Sequence, residues 1–234
     1  MRKYEFKVQR GTSHSRDAEL SSYTVDLHDK ANVLDGLEQI RSEQEPDLLY
    51  RHSCHHGSCG TCGMMINGER KLACLTLVSE LEGPIELRPL EPFPVIRDLA
   101  VDPAPLYEDF PREASYIRPS ELVKDRDVPE EIEGYTRFEN CIECGLCVSA
   151  CPVTVSFMGP AALAAWNRLR EKDSSREQEV LKAVDVKRGV WSCDRAFACS
   201  KTCPLGVAPA KHIAQLQRAI KASQTQEGMT RGNE

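Results

Sequence analysis

The chain has 234 residues, a formal net charge of −6, 41% hydrophobic residues and 28% charged residues. That length holds one large domain or two small ones, and the acidic balance argues against general nucleic-acid binding. Eleven cysteines are an odd number and cannot all pair as disulfides; reduced thiols committed to metal suit a cytosolic compartment.

In chain order, Met1 to Phe6 shows no apolar signal core. Residues 3–9 alternate, with Tyr4, Phe6 and Val8 on one side, and residues 22–27 alternate through Tyr23, Val25 and Leu27. Both stretches predict strands with one buried face, separated by a polar loop. Val33, Leu34, Leu37 and Ile40 then fall at helical spacing behind Asn32, a suitable N-cap. Strand, strand, helix and a cysteine loop is the order of a β-grasp, plant-type ferredoxin.

The loop contains Cys54, Cys59 and Cys62, with Cys74 beyond it. This C-x4-C-x2-C…C spacing is the plant-type [2Fe–2S] pattern. Gly57, Gly60 and Gly63 are expected to take positive φ and turn N–H groups toward sulfur. His55 and His56 lie inside the loop. A Rieske centre, which places two histidines on one iron, would leave two of these cysteines unused; the histidines read instead as exposed residues facing a partner. Asn67-Gly68 predicts a hairpin turn between Met64–Ile66 and Lys71–Leu75. Ile85 and Leu87 suggest a last strand. The prolines from Pro89 to Pro111 read as an inter-domain connection with the boundary near residue 105. Residues 115–140 are charged and suit short helices.

The most specific stretch follows. Cys141, Cys144, Cys147 and Cys151-Pro152 spell C-x2-C-x2-C-x3-C-P, the bacterial-ferredoxin run whose fourth cysteine serves a second cluster. A partner run ends in Cys203-Pro204 and holds Cys193 and Cys199, but the position matching its second cysteine is Ala196. A methyl group cannot bind iron. The spacing therefore assigns Cys141, Cys144, Cys147 and Cys203 to [4Fe–4S], and Cys151, Cys193 and Cys199 to a three-ligand [3Fe–4S] site. Both runs are poor zinc spacing. Val148 to Trp166 carries no formal charge, but its Pro152 and Gly159-Pro160 argue against a spanning helix. It reads either as a docking surface or as helix core. Helices are predicted from Ala161 to Lys172, around Val180–Val184, and over 209–222, with a polar, frayed tail from Gln224. His212, on that last helix, reads as a surface residue. The expected fold is α+β: a β-grasp domain over 1–105 and a mostly helical double-cluster domain over 106–234.

In this order of clusters the chain resembles the iron–sulfur subunit of succinate dehydrogenases and quinol:fumarate reductases. The resemblance rests on Ser53-Cys54 through Met64, Leu72-Ala73-Cys74, Phe93 to Leu99 and Cys141 to Pro152. Phe157 to Ala162 and Gly189 to Cys193 look especially like the fumarate-reductase branch. It implies an electron path with [2Fe–2S] nearest the FAD of a flavoprotein subunit, [4Fe–4S] central, and [3Fe–4S] nearest a quinone in a membrane-anchor subunit. It also implies a peripheral place on the cytoplasmic face of the inner membrane, in the tricarboxylic acid cycle or anaerobic respiration. Where succinate dehydrogenases often carry two tryptophans, this chain has Val155 and Ser156, which leans toward a menaquinone-linked or fumarate-reducing enzyme. The rival readings are a related reductase acting on another substrate, a free-standing polyferredoxin, and a zinc-stabilised interaction module.

Overall fold

A computed structural model describes residues 1–12, 19–111 and 141–231. The short helices expected within 115–140 lie outside the described residues. The chain divides into two compact units: Met1–Pro105 with Ile142–Ser149, and Leu106–Cys141 with Ala150–Glu234.

The first unit is built on a five-stranded sheet of order β2-β1-β5-β3-β4. β1 (Arg2–Gln9) and β2 (Leu20–Leu27) pair antiparallel, with Tyr4 opposite Val25 and Phe6 opposite Tyr23. The period-two pattern thereby places one apolar row on the core side. β3 (Gly63–Ile66) and β4 (Glu69–Leu72) form a hairpin. Its two loop residues, Asn67 and Gly68, have φ of 48° and 79°, as a type I′ turn requires. β4 ends earlier than expected because Ala73–Leu75 tightens into a 3-10 turn. β5 (Ile85–Arg88) runs parallel to β1 and antiparallel to β3, which makes it the central strand. Ile85 and Leu87 are accordingly buried.

Helix α1 (Val33–Glu43) starts in a capping box: Asn32 Oδ1 accepts from Asp35 N at 3.0 Å, and Asp35 Oδ2 accepts from Asn32 N at 2.8 Å. Its Leu34, Leu37 and Ile40 bury against the sheet. Gly36 allows the close approach, since a Cβ there would lie 2.3 Å from the tip of the buried Phe6 ring. The proline-rich stretch after β5 is packed chain rather than a bare connection. It contains the ribbon β6 (Val95–Arg97) and β7 (Ala100–Val101) and buries Phe93, Leu99 and Val101. Between these strands Asp98 is 1% exposed and accepts from Arg10 Nε, Gly11 N and Leu49 N at 2.9–3.0 Å. Burial works against the Arg10 charge, but hydrogen bonds to Asp98, Tyr23 and Asp47 outweigh it and raise its pKa. This knot fixes Leu49, five residues before Cys54. The turn α2 (Ala104–Tyr107) and the turn α3 (Leu146–Ser149) are single helical turns.

The second unit packs α4 (Pro160–Lys172), α5 (Glu177–Val184), α6 (Ala198–Lys201) and α7 (Pro209–Arg231). Leu163, Val180, Val184, Val190, Ile213, Leu216 and Ile220 form its core; burying each such side chain contributes about 1.5–3 kcal/mol. The uncharged stretch divides: residues 160–165 are helix core, whereas Val155 is 76% exposed. α7 continues past the expected frayed point to Arg231. His212 is a second correction, being buried rather than on the surface. Asn167, itself buried on α4, makes a 2.8 Å hydrogen bond to His212 Nδ1 and donates to Gln215 Oε1 at 3.1 Å. Spacing alone could not see this, because the polar partners come from another helix. Among the described residues no helix is long and apolar enough to cross a membrane.

Gly36→Ala is expected to lower stability by about 1–3 kcal/mol, the cost of overpacking a filled core. A chemical-denaturation midpoint followed by far-UV dichroism checks it, with the exposed Gly83→Ala as a strain-only comparison.

Candidate metal centres

In the first unit, the loop after Leu49 curls by placing His55, Gly57 and Gly60 at φ of 62°, 75° and 72°. The curl turns the Ser58 and Cys59 N–H groups onto Cys54 Sγ at 3.2 and 3.3 Å, and Cys54 N–H donates to Cys59 Sγ at 3.5 Å. Gly63 departs from expectation. It opens β3 without a positive φ; the left-handed position is taken by His55 instead. Thr61, which spacing did not mark, sets its Oγ1 3.2 Å from Cys59 Sγ. The hairpin returns Cys74 so that its Sγ lies 3.3 Å from Cys62 Sγ in a buried position, and Ala73 N–H donates to Cys62 O at 3.1 Å.

The sulfurs' proton affinities show what this packing demands. At Cys54, burial pushes upward, but N–H donors from His56, Ser58 and Cys59 and the Cys59 side chain bring the thiol down to about 6. Burial pushes Cys62 up to about 12; the Cys74 backbone N–H works against it and the Cys74 side chain works with it. A thiolate is thus welcome at one sulfur and opposed at another a few residues away. A bound cation resolves that conflict by stabilising thiolate at all four sulfurs, and proton release accompanies its binding. Four cysteine sulfurs with inward N–H donors fit an iron–sulfur cluster.

The segment 142–149 also belongs to this unit and carries Cys144 and Cys147. Its backbone lies against the loop glycines. A Cβ on Gly60 would sit 2.5 Å from Ile142 O and 2.9 Å from Cys144 Cα; one on Gly63 would sit 3.2 Å from Cys144 O. Phe93 covers Gly145 from the other side, 2.9 Å from where a Cβ would be. Cys141 and Cys203 fall in the second unit, where Val207 N–H donates to Cys203 Sγ at 3.4 Å.

The second unit brings Cys151, Cys193 and Cys199 to one cavity, with Ala196 on its wall where a fourth cysteine would stand. Pro152, Phe157 and Ile213 supply apolar lining. The two cysteine runs share a backbone signature that spacing did not reveal. Glu143 and Gly145, two and four residues after Cys141, have φ of 53° and 76°; Arg195 and Phe197, at the same offsets from Cys193, have φ of 58° and 59°. Left-handed φ at bulky residues is costly, and here it is held by surrounding contacts. Arg195 Nη2 donates to Gln217 Oε1 at 3.0 Å, and the buried Gln217 donates in turn to Val190 O at 2.7 Å. Burial raises the thiol pKa of both Cys151 and Cys199. As in the first loop, these thiols need a cation before they ionise, and three sulfurs lining one partly apolar cavity fit a three-iron cluster.

Comparison with known proteins agrees with this geometry. Residues 5–108 match the family described as a 2Fe-2S iron-sulfur cluster binding domain, and residues 137–207 match the 4Fe-4S dicluster domain. The fumarate reductase iron-sulfur subunit of Haemophilus influenzae is 36% identical over 220 residues, 86% of each chain. Its counterpart from Mycobacterium tuberculosis is 39% identical over 205 residues, 82% of each. The chain belongs to the family of fumarate reductase and succinate dehydrogenase iron–sulfur subunits. The succinate dehydrogenase iron-sulfur subunit of Coxiella burnetii is 33% identical, covering 84% of this chain and 86% of its own. A solved structure, the Mycobacterium smegmatis Sdh1 complex in the apo form, includes a chain that matches with a TM-score of 0.74 at 27% identity, covering 95% of this chain and 97% of that one. As a family member, this α+β chain is an electron-transferring subunit of an oxidoreductase and carries iron–sulfur clusters.

Gly60→Ala is expected to strip iron from the chain. The new methyl group meets backbone that cannot swing aside, and φ of 72° strains any other residue. Iron content and visible absorption of the purified variant check this, with Gly63→Ala, at the looser 3.2 Å contact, expected to lose less.

Proposed function

We propose that this chain relays single electrons between FAD in a flavoprotein subunit and quinone at a membrane-anchor subunit, from the cytoplasmic face of the inner membrane. Two functional domains, 1–105 and 106–234, divide the work. In this reading Cys54, Cys59, Cys62 and Cys74 hold [2Fe–2S]. Cys141, Cys144, Cys147 and Cys203 hold [4Fe–4S], and Cys151, Cys193 and Cys199 hold [3Fe–4S]. When bound, the clusters supply one-electron carriers that change charge with little nuclear rearrangement. The chain's own residues hold the sulfurs and orient N–H dipoles onto them. The N–H groups of Ser58 and Cys59 lower the cost of negative charge on Cys54, and Phe157 and Ile213 line the three-cysteine cavity with apolar surface.

The observation that carries the reading is the cavity shared by Cys151, Cys193, Cys199 and Ala196. A three-ligand site together with the four-ligand spacing supports two unlike clusters, the pair that the family resemblance implies. Val155 and Ser156 in place of tryptophans favour a menaquinone-linked, fumarate-reducing enzyme.

The test starts from the iron count. Holoprotein purified without oxygen is expected to hold about nine irons per chain, from two, three and four per site. Three ferric irons leave an unpaired spin, so the oxidised protein should give an electron paramagnetic resonance signal that the other two clusters lack. Ala196→Cys supplies the absent ligand and is expected to add one iron and abolish that signal. A wild-type chain with about ten irons and no such signal would overturn the assignment. Co-purification of a flavoprotein and a membrane subunit with the tagged chain tests the partners, and a monomeric carrier without flavin argues for a polyferredoxin.

A further inference from the structure

The cluster loop carries a second set of metal-ligating groups that the iron–sulfur chemistry does not use. Glu38 on α1 and His52 and His55 in the loop point their donor atoms at one another. His52 Nδ1 lies 3.1 Å from His55 Nε2, and Glu38 Oε1 lies 3.7 Å from the first nitrogen and 3.4 Å from the second. A tetrahedral ion with ligands at about 2.0–2.1 Å sets neighbouring ligand atoms about 3.3 Å apart. The three measured separations straddle that edge length, so the donors already outline one face of a tetrahedron.

We infer that Glu38, His52 and His55 form a binding site for a divalent transition metal of the zinc class, separate from the cysteine-held clusters. Two imidazoles and one carboxylate suit zinc, cobalt or nickel ions and disfavour magnesium and calcium, which prefer all-oxygen shells. The side chains of His52, His55 and Glu38 are 27%, 40% and 36% exposed, so an ion can enter and a water can complete its shell.

The local structure holds the donors in place. His55 keeps a left-handed φ of 62°, which swings its ring back toward His52. The two rings meet edge to face, 5.3 Å apart, and Tyr50 packs on His52 at 5.2 Å. Glu38 is fixed by α1, whose capping box sets its register. One neighbour opposes binding. Arg41 places Nη1 3.4 Å from His52 Nε2. Metal on Nδ1 leaves the proton on Nε2, so that contact opens; at 3.4 Å it is a long one, and Arg41 keeps its stacking over Tyr50 at 4.9 Å.

Without a cation the three groups contact one another, ring nitrogen to ring nitrogen at 3.1 Å, with Glu38 Oε1 3.4 and 3.7 Å from those nitrogens. A bound ion satisfies all three donors at once. It also places positive charge one residue from Cys54 and is expected to raise the potential of the adjacent cluster.

The test uses holoprotein washed with chelator and then dialysed against zinc chloride. Wild type is expected to take up one zinc per chain beyond the uptake of a Glu38→Gln/His52→Gln variant. The midpoint potential of its first cluster is expected to rise with zinc in wild type only. Equal iron in the two proteins shows that the cluster loop has stayed folded. His55→Asn, which keeps a residue tolerant of left-handed φ, is expected to weaken zinc uptake by tenfold or more. Equal zinc uptake by wild type and the double variant, at equal iron content, overturns the site.

Discussion

Buried sulfur is the constraint on which the structure depends. Thiolates repel one another and resist burial, yet Cys62 and Cys74 are held 3.3 Å apart and both are buried. A protein that presses such groups together needs a cation to neutralise them and dipoles to aim at them. The loop meets the second need with N–H groups on Cys54, at the expense of left-handed backbone at His55, Gly57 and Gly60. An iron–sulfur cluster, which this family carries, would meet the first. The same balance recurs at Cys151 and Cys199, where burial again raises the thiol pKa.

Much of the remaining fold steadies these loops. Asp98 gathers Arg10, Gly11 and Leu49 and so holds the chain entering the first loop. The 3-10 turn at Ala73–Leu75 delivers Cys74. In the helical unit Gln217 connects α7 to Arg195 and Val190, steadying a stretch in which two bulky residues hold left-handed φ. The matching offsets of Glu143 and Gly145 with Arg195 and Phe197 show that the duplication extends from cysteine spacing to backbone shape. The cysteine spacing of the two runs departs at one position, where Ala196 stands in place of a cysteine.

Some departures from the sequence reading share a physical origin. Gly63 was expected to turn, yet it starts a strand, because its constraint is the carbonyl of Cys144 beside it rather than its own φ. His212 was expected outside, yet Asn167 and the helix it belongs to enclose it. The prolines after Arg88 signal missing backbone donors, but not that Phe93 and Leu99 would be buried among them. In each case the deciding neighbour is distant along the chain.

The sequence alone determined the cysteine spacing, the α+β order of elements, the capped helix at Asn32 and the Asn67-Gly68 turn. These are local properties, written in spacing and periodicity over a few residues. The tertiary structure decided that Ile85–Arg88 is the central strand, that the Cys144 backbone rests on Gly60, and that Glu38 meets His52 and His55. Those contacts join stretches separated by 14 or more positions. Chain closure over such distances depends on which surfaces bury together, and no local pattern encodes that.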